Sequence, residues 1–141
     1  MPNREITGLI KKEIALNAAT IATDTTTVGN AIGTKGYDGG VNFSIFSGAY
    51  TDGTYTPILT ECATEGGSYT AVADIDLVKD DETSSTGAEA QAVITSANAV
   101  FKLGYKGILP FVKLTIVSTS TSSGALIGAH VEKKPNIVDA V

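Results

Sequence analysis

The chain has no tryptophan and only one cysteine, one histidine and one methionine among its 141 residues. Each scarcity narrows the chemistry. Cys62 has no partner for a disulfide within the chain, so stability must come from packing or association. An isolated cysteine in a strand most often serves as a small buried hydrophobe. His130 is the only imidazole, which excludes a zinc site built on two histidines of one chain. No serine or aspartate is tied to it by a nucleophile motif, and a lone histidine near a strand end reads as a surface or half-buried residue. Aromatic residues make up only 6% of the chain, so the core must be assembled from Val, Ile, Leu and Ala. A paired-carboxylate glycosidase cleft would lack tryptophan platforms. Gly36, Gly39 and Gly40 lack the Lys-Ser/Thr ending and the strand-to-helix setting of a phosphate loop. We therefore expect no enzyme, with no catalytic residue, cofactor or metal ligand assigned.

Long apolar runs are also missing. No stretch suits a membrane-spanning helix, and no membrane partner is expected. Lys11 and Lys12 precede an Ala- and Ile-containing segment over 14–21, but Glu13, Asn17 and Thr20 break its apolar character. A cleaved signal peptide is accordingly not expected. The net charge of −5 leaves Lys and Arg thin and dispersed, against the concentrated basic surface that nucleic acid requires. Charge is nonetheless uneven along the sequence. Arg4, Lys11 and Lys12 stand near the start, Asp74, Asp76, Asp80, Asp81 and Glu82 crowd the middle, and Lys102, Lys106 and Lys113 follow. Such a pattern steers one copy onto another, or onto an oppositely charged partner, or simply solvates the surface. The acidic stretch is the one cluster with calcium potential, yet it lacks the Gly and Glu spacing of a helix-loop-helix calcium site and reads as a solvated loop.

What the chain does contain is a succession of Thr-, Ser- and Gly-rich strand signals. Residues 41–47 place Val41, Phe43 and Ile45 on one face by period-2 alternation. A turn at Asp52-Gly53, read as a two-residue type I′ turn, leads to 55–61 and makes a hairpin. Pro57 cannot donate to a ladder, so its strand is expected at an edge or bulged. Residues 111–117, a Ser/Thr/Gly loop and 125–131 read as a second hairpin. Thr25 to Val28 suit a strand by their β-branched side chains. Val100, Lys102 and Gly104 alternate with Phe101, Leu103 and Tyr105 as a half-buried strand, residues 80–87 form a surface loop, and 88–94 fit helix or strand equally. About half of the five tyrosines should cap the core, the rest being free to anchor an interface.

The first residues differ in character. Ile6, Leu9, Ile10 and Ile14 fall at helical spacing between charged residues, although Gly8 interrupts and a helix this short is marginal alone. We read residues 1–13 as an N-terminal arm that orders against a partner, 14–135 as the folded domain and 136–141 as a C-terminal tail. Many short strands with regular turn signals give an all-β fold, an antiparallel β-sandwich of jelly-roll-like type.

The order and spacing of these segments resemble the decoration, or head-cement, proteins of tailed bacteriophages. The matching residues are 35–37, 48–57 and 66–72 in the first half, then 100–107, 111–113 and 119–124 in the second, and the resemblance spans roughly 14–135. Relatives tend to close with a Gly-His-Pro type segment, whereas residues 130–135 here run His130, Val131, Glu132, Lys133, Lys134, Pro135. The resemblance implies a β-sandwich that adds to the outside of an assembled head, with the major capsid protein as partner, often as a homotrimer at local threefold positions. It supplies no catalytic or ligand-binding residue. The expected role is a virion structural protein that stabilises the capsid lattice, made in the host cytoplasm and carried on the capsid surface. Candidate capsid or subunit contacts are Arg4, Ile6, Leu9, Ile10, Lys11 and Lys12. The alternatives are a tail or tail-tube component and a carbohydrate- or surface-binding β-sandwich module.

Overall fold

The structure is a computed structural model that describes residues 7–38, 40–79 and 87–135. Among these residues it is an antiparallel β-sandwich, as the strand spacing predicts. One sheet runs in the order β1 (Lys11–Ile21), β10 (Ala125–Lys134), β4 (Gly40–Tyr50), β8 (Val100–Tyr105) and β7 (Leu77–Val78). The other runs β2 (Thr26–Val28), β9 (Phe111–Thr119), β5 (Thr54–Cys62) and β6 (Thr70–Ala71), with β3 (Ile32–Gly33) also paired to β9. Short 3-10 turns occupy Thr7–Leu9 and Asp74–Asp76, and one helical turn, α1, occupies Ala88–Gln91.

The alternation read from 41–47 is what fills the core. Phe43 and Ile45 of β4, Leu103 of β8 and Val131 of β10 face Tyr55 and Leu59 of β5 and Leu114 and Ile116 of β9, all fully buried. Each such side chain contributes roughly 1.5–3 kcal/mol of burial, so a few strands of plain aliphatics suffice without tryptophan. Of the five tyrosines, Tyr55 and Tyr105 are buried in this core.

Both expected hairpins are corrected. β4 pairs with β10 and β8 but not with β5, and β9 pairs with β5, β2 and β3 but not with β10. The turns after Tyr50 and after Thr119 carry the chain from one sheet across the core to the other. Strand period and turn residues are the same for a hairpin and for an inter-sheet crossing, so sequence spacing alone does not separate them. The type I′ assignment falls for the same reason. Gly53 has φ +101°, but Asp52 is not in the positive-φ region. Asp52 instead turns its carboxylate onto the backbone N–H groups of Ser122, Ser123 and Gly124 at 2.9–3.2 Å.

The start of the domain is corrected as well. Strand β1 begins at Lys11, three residues inside the segment read as an arm, and Lys11 faces Lys133 across the ladder. The pairing with β10 satisfies the backbone of 11–21, which a short helix broken by Gly8 would not do as well. Ile14, which completed the helical spacing, lies 56% exposed on the outer face of the sheet.

Pro57 stands where its missing N–H costs nothing. Tyr55 and Leu59, its neighbours on the same side of β5, send their N–H groups away from β9, to Ile94 O at 3.1 Å and to Glu89 Oε1 at 2.8 Å. Pro57 lies between them, on the side of β5 that faces away from the ladder with β9. The ambiguous stretch 88–94 explains itself here: it makes one helical turn at Ala88–Gln91, then a single bridge from Ile94 to Tyr55, and so covers a strand edge. Burial raises the Glu89 carboxyl above its ordinary range, and the Leu59 N–H only partly offsets this.

Candidate interaction surface

Strand register sorts the polar side chains to the two ends of the sandwich. At one end β1 and β4 begin and β8 and β10 finish in the first sheet, while β9 begins and β5 finishes in the second. Every lysine of the chain lies at this end or a few residues into the strands that reach it. At the opposite end β1, β4 and β9 finish and β5, β8 and β10 begin. The charged groups described there are Asp24 and Asp52, among serines and threonines.

The lysine end is built on two posts that tie the sheets together. Lys133, only 3% exposed, donates from Nζ to Gly33 O at 2.9 Å, ion-pairs with Glu13 and lies 4.4 Å from the Tyr37 ring centroid. Its charge is thus met from three sides, which is what a buried ammonium requires. The second post is Tyr105, whose hydroxyl donates to Glu61 Oε2 at 2.6 Å. Burial first, and then the neighbouring Glu61 carboxylate, push this phenol well above the usual tyrosine range. The connection between β8 and β9 is pinned on the same post by Thr34, which bonds Leu109 O at 2.8 Å and Pro110 O at 2.9 Å, and by Lys106 N to Asp76 O at 2.8 Å.

These anchors hold apolar side chains out into solvent. Ile108, at the tip of the pinned connection, is 96% exposed, Ile75 in the Asp74–Asp76 turn is 72% exposed, and Leu9 is 39% exposed. Recesses of about 540, 560 and 700 Å³ open at the same end. The first is lined by Ile10, Val41 and Val78 and by lysines that include Lys79, Lys106 and Lys134. Its acidic neighbour, Glu132, is occupied by Ser44 Oγ at 3.0 Å and by His130 Nε2 at 3.4 Å. Aliphatic tips among charged groups of both signs, above rigid posts, suit docking to another macromolecule better than chemistry on a small one.

Of the residues singled out from sequence, Leu9, Ile10, Lys11 and Lys12 come to this end. Arg4 and Ile6 lie outside the described residues, as do Asp80, Asp81 and Glu82 of the acidic stretch and the tail over 136–141. Lys11 and Lys12 are exposed strand residues rather than arm residues. His130 is partly exposed on the outer face of the first sheet, 6.5 Å from the Phe46 ring. Cys62 is half-buried at the end of β5 rather than fully buried. Among the described residues no group of three or more His, Cys, Asp or Glu could share a metal ion, and no helix is long and apolar enough to cross a membrane. Ile75 and Ile108 were not legible as surface residues. The available signal was an isoleucine between two aspartates and another inside a Gly- and Pro-containing turn, both out of phase with any strand. No protein-family model matches the chain, and none of the curated proteins matches it.

Proposed function

We propose that this chain is a non-enzymatic virion structural protein that binds the outer surface of a phage head through its lysine end and stabilises the capsid lattice. The gathering of the described lysines, together with the exposed Leu9 and Ile108, at one end of the sandwich carries this proposal. Described carboxylates, among them Glu13, Asp38, Glu65, Asp74, Asp76 and Glu132, share that end, so it is a mixed-charge surface with exposed aliphatic tips, of the kind that protein interfaces use. The turn-and-strand resemblance to head-decoration proteins supplies the identity of the partner, the major capsid protein. Binding to the assembled lattice alone would lower that state's free energy by mass action, and many copies would act together.

Quantitative mass spectrometry of purified particles from the source lysate tests the proposal. A copy number comparable with that of the major head protein supports it. A copy number far below that value moves the protein to the tail, and absence from particles overturns a virion role. The N-terminal contribution is tested by deleting residues 2–9, which spares β1. Unchanged particle binding by that variant would remove Leu9 from the contact.

A further inference from the structure

The lysine end carries a knob as well as a recess. The 3-10 turn Asp74–Asp76 presents Ile75, 72% exposed, between two carboxylates. Among the described residues neither Asp74 nor Asp76 forms an ion pair through its side chain. The turn is held rigidly, by Asp76 N to Ala73 O and by Lys106 N to Asp76 O, both at 2.8 Å. The 540 Å³ recess has the opposite balance: it is lined by Ile10, Val41 and Val78 and by lysines that include Lys79, Lys106 and Lys134, with Glu132 as its one carboxylate. Its volume falls in the range of sites that enclose a ligand of several heavy atoms. An aliphatic tip flanked by acids matches a lining of aliphatics and lysines in kind and in sign.

We propose that the recess receives the Asp74–Asp76 turn of a second copy of this chain. Within one molecule the two features are only a few residues apart, on either side of Leu77, so the turn cannot fold into its own recess and each copy offers both halves of the contact at one end. Because both features lie at one end, two copies can exchange knobs reciprocally about a two-fold axis, and a contact passed on from copy to copy closes into a ring if the rotation permits. Ile75 supplies the buried area, and the flanking charges set register and exclude the reverse orientation. This contact goes beyond the proposed function, which names the capsid and not a second copy as the partner. It is read in solution without any particle, so the two fail separately.

Sedimentation velocity of the full chain over a range of concentrations and salt gives the test. The wild type is expected to self-associate, more weakly as salt rises. Ile75→Arg, at an exposed position, should weaken association by at least about tenfold while leaving the unfolding midpoint in place. The paired reversals Asp74→Lys with Asp76→Lys, and Lys79→Glu with Lys106→Glu, should each do the same. Combining all four in one chain should recover part of the association, since the two reversed pairs are complementary again while Lys134 keeps its sign. A wild type that stays monomeric at every concentration overturns the contact. So does an oligomer that Ile75→Arg and both reversals leave intact, or a four-fold variant that stays dissociated. High copy number on particles combined with a monomer in solution would overturn this contact and leave the virion role standing.

Discussion

The two ends of the sandwich are closed by opposite means. At the hydroxyl-rich end the chain saturates its own backbone. Asp52 gathers the N–H groups of Ser122, Ser123 and Gly124, Asp24 takes that of Thr121, Ser118 bonds Thr23 O at 2.7 Å, and the Tyr55 hydroxyl reaches Asp52 O and Ile21 O at 2.9 and 3.1 Å. Both local charges are consumed inward, while Val100, 65% exposed at the start of β8, still faces solvent there. At the lysine end the posts at Lys133 and Tyr105 do the closing, and the remaining cations and aliphatic tips stay outside. Polar groups are spent inward at one end and left facing solvent at the other. A net charge for the whole chain conceals this division.

Substitutions should tell the ends apart, beginning with the most damaging. Gly124 sits at φ +89°, and a Cβ there would run into the Ile21 carbonyl. Gly124→Ala should therefore cost about 3 kcal/mol, read as a lower urea midpoint, with particle binding unaltered in the fraction that folds. Next comes the post at the other end. Lys133→Met leaves Gly33 O and the partly exposed Glu13 carboxylate without their cation, and should cost about 2 kcal/mol. Equal stability of that variant and the wild type would show that Lys133 is not a structural member.

Acid should separate the ends without mutation. The three backbone N–H groups, Gly124 foremost, hold the Asp52 carboxyl below its ordinary range. Its contribution is therefore present above the unfolded carboxyl pKa, near 4, and is lost as the pH falls below that value toward the depressed folded pKa. Asp52→Asn should be less stable at pH 7 and should show a shallower acid limb in a plot of unfolding free energy against pH. An unchanged acid limb would remove Asp52 from the account. Alkali tests both ends together, because burial raises the phenols of Tyr55 and Tyr105. Stability tied to them is complete below the unfolded phenol pKa, near 10, and falls as pH rises above it, so Tyr55→Phe and Tyr105→Phe should each flatten the alkaline limb. The smallest effect is expected at Ile108. Ile108→Ser should move stability by no more than about 0.5 kcal/mol, yet weaken particle binding if that tip makes contact.

Strand character was readable because it is a local property. The alternation in 41–47 and 100–105 and the β-branched run over 25–28 each gave a strand where one forms, since period 2 follows from the geometry of extended backbone. Pairing was not readable, because the partner of each strand is fixed by contacts across the whole chain. Asp52-Gly53 looks like hairpin chemistry until Asp52 is seen to serve a loop seventy residues away. The helical spacing of Ile6, Leu9, Ile10 and Ile14 misled because an exposed Ile14 counted as though it were buried. At the candidate surface, Leu9 to Lys12 were legible from the charge and apolar mixture alone. Ile75, Ile108 and the Lys79, Lys106 and Lys134 rim were not, because three separate connections bring them together only after folding.

The place of β10 has a consequence for the order in which the protein is made. The last strand of the described chain lies between the first strand, β1, and β4, and bonds to both. On the ribosome, β1 and β4 emerge early and have no lasting partner for their facing edges until residues 125–134 follow. The first sheet cannot close until those residues have left the ribosome, and its exposed edges are open to other chains in the interval. β10 acts as the keystone of an arch, and a product stopped short of it is an open edge waiting for a neighbour.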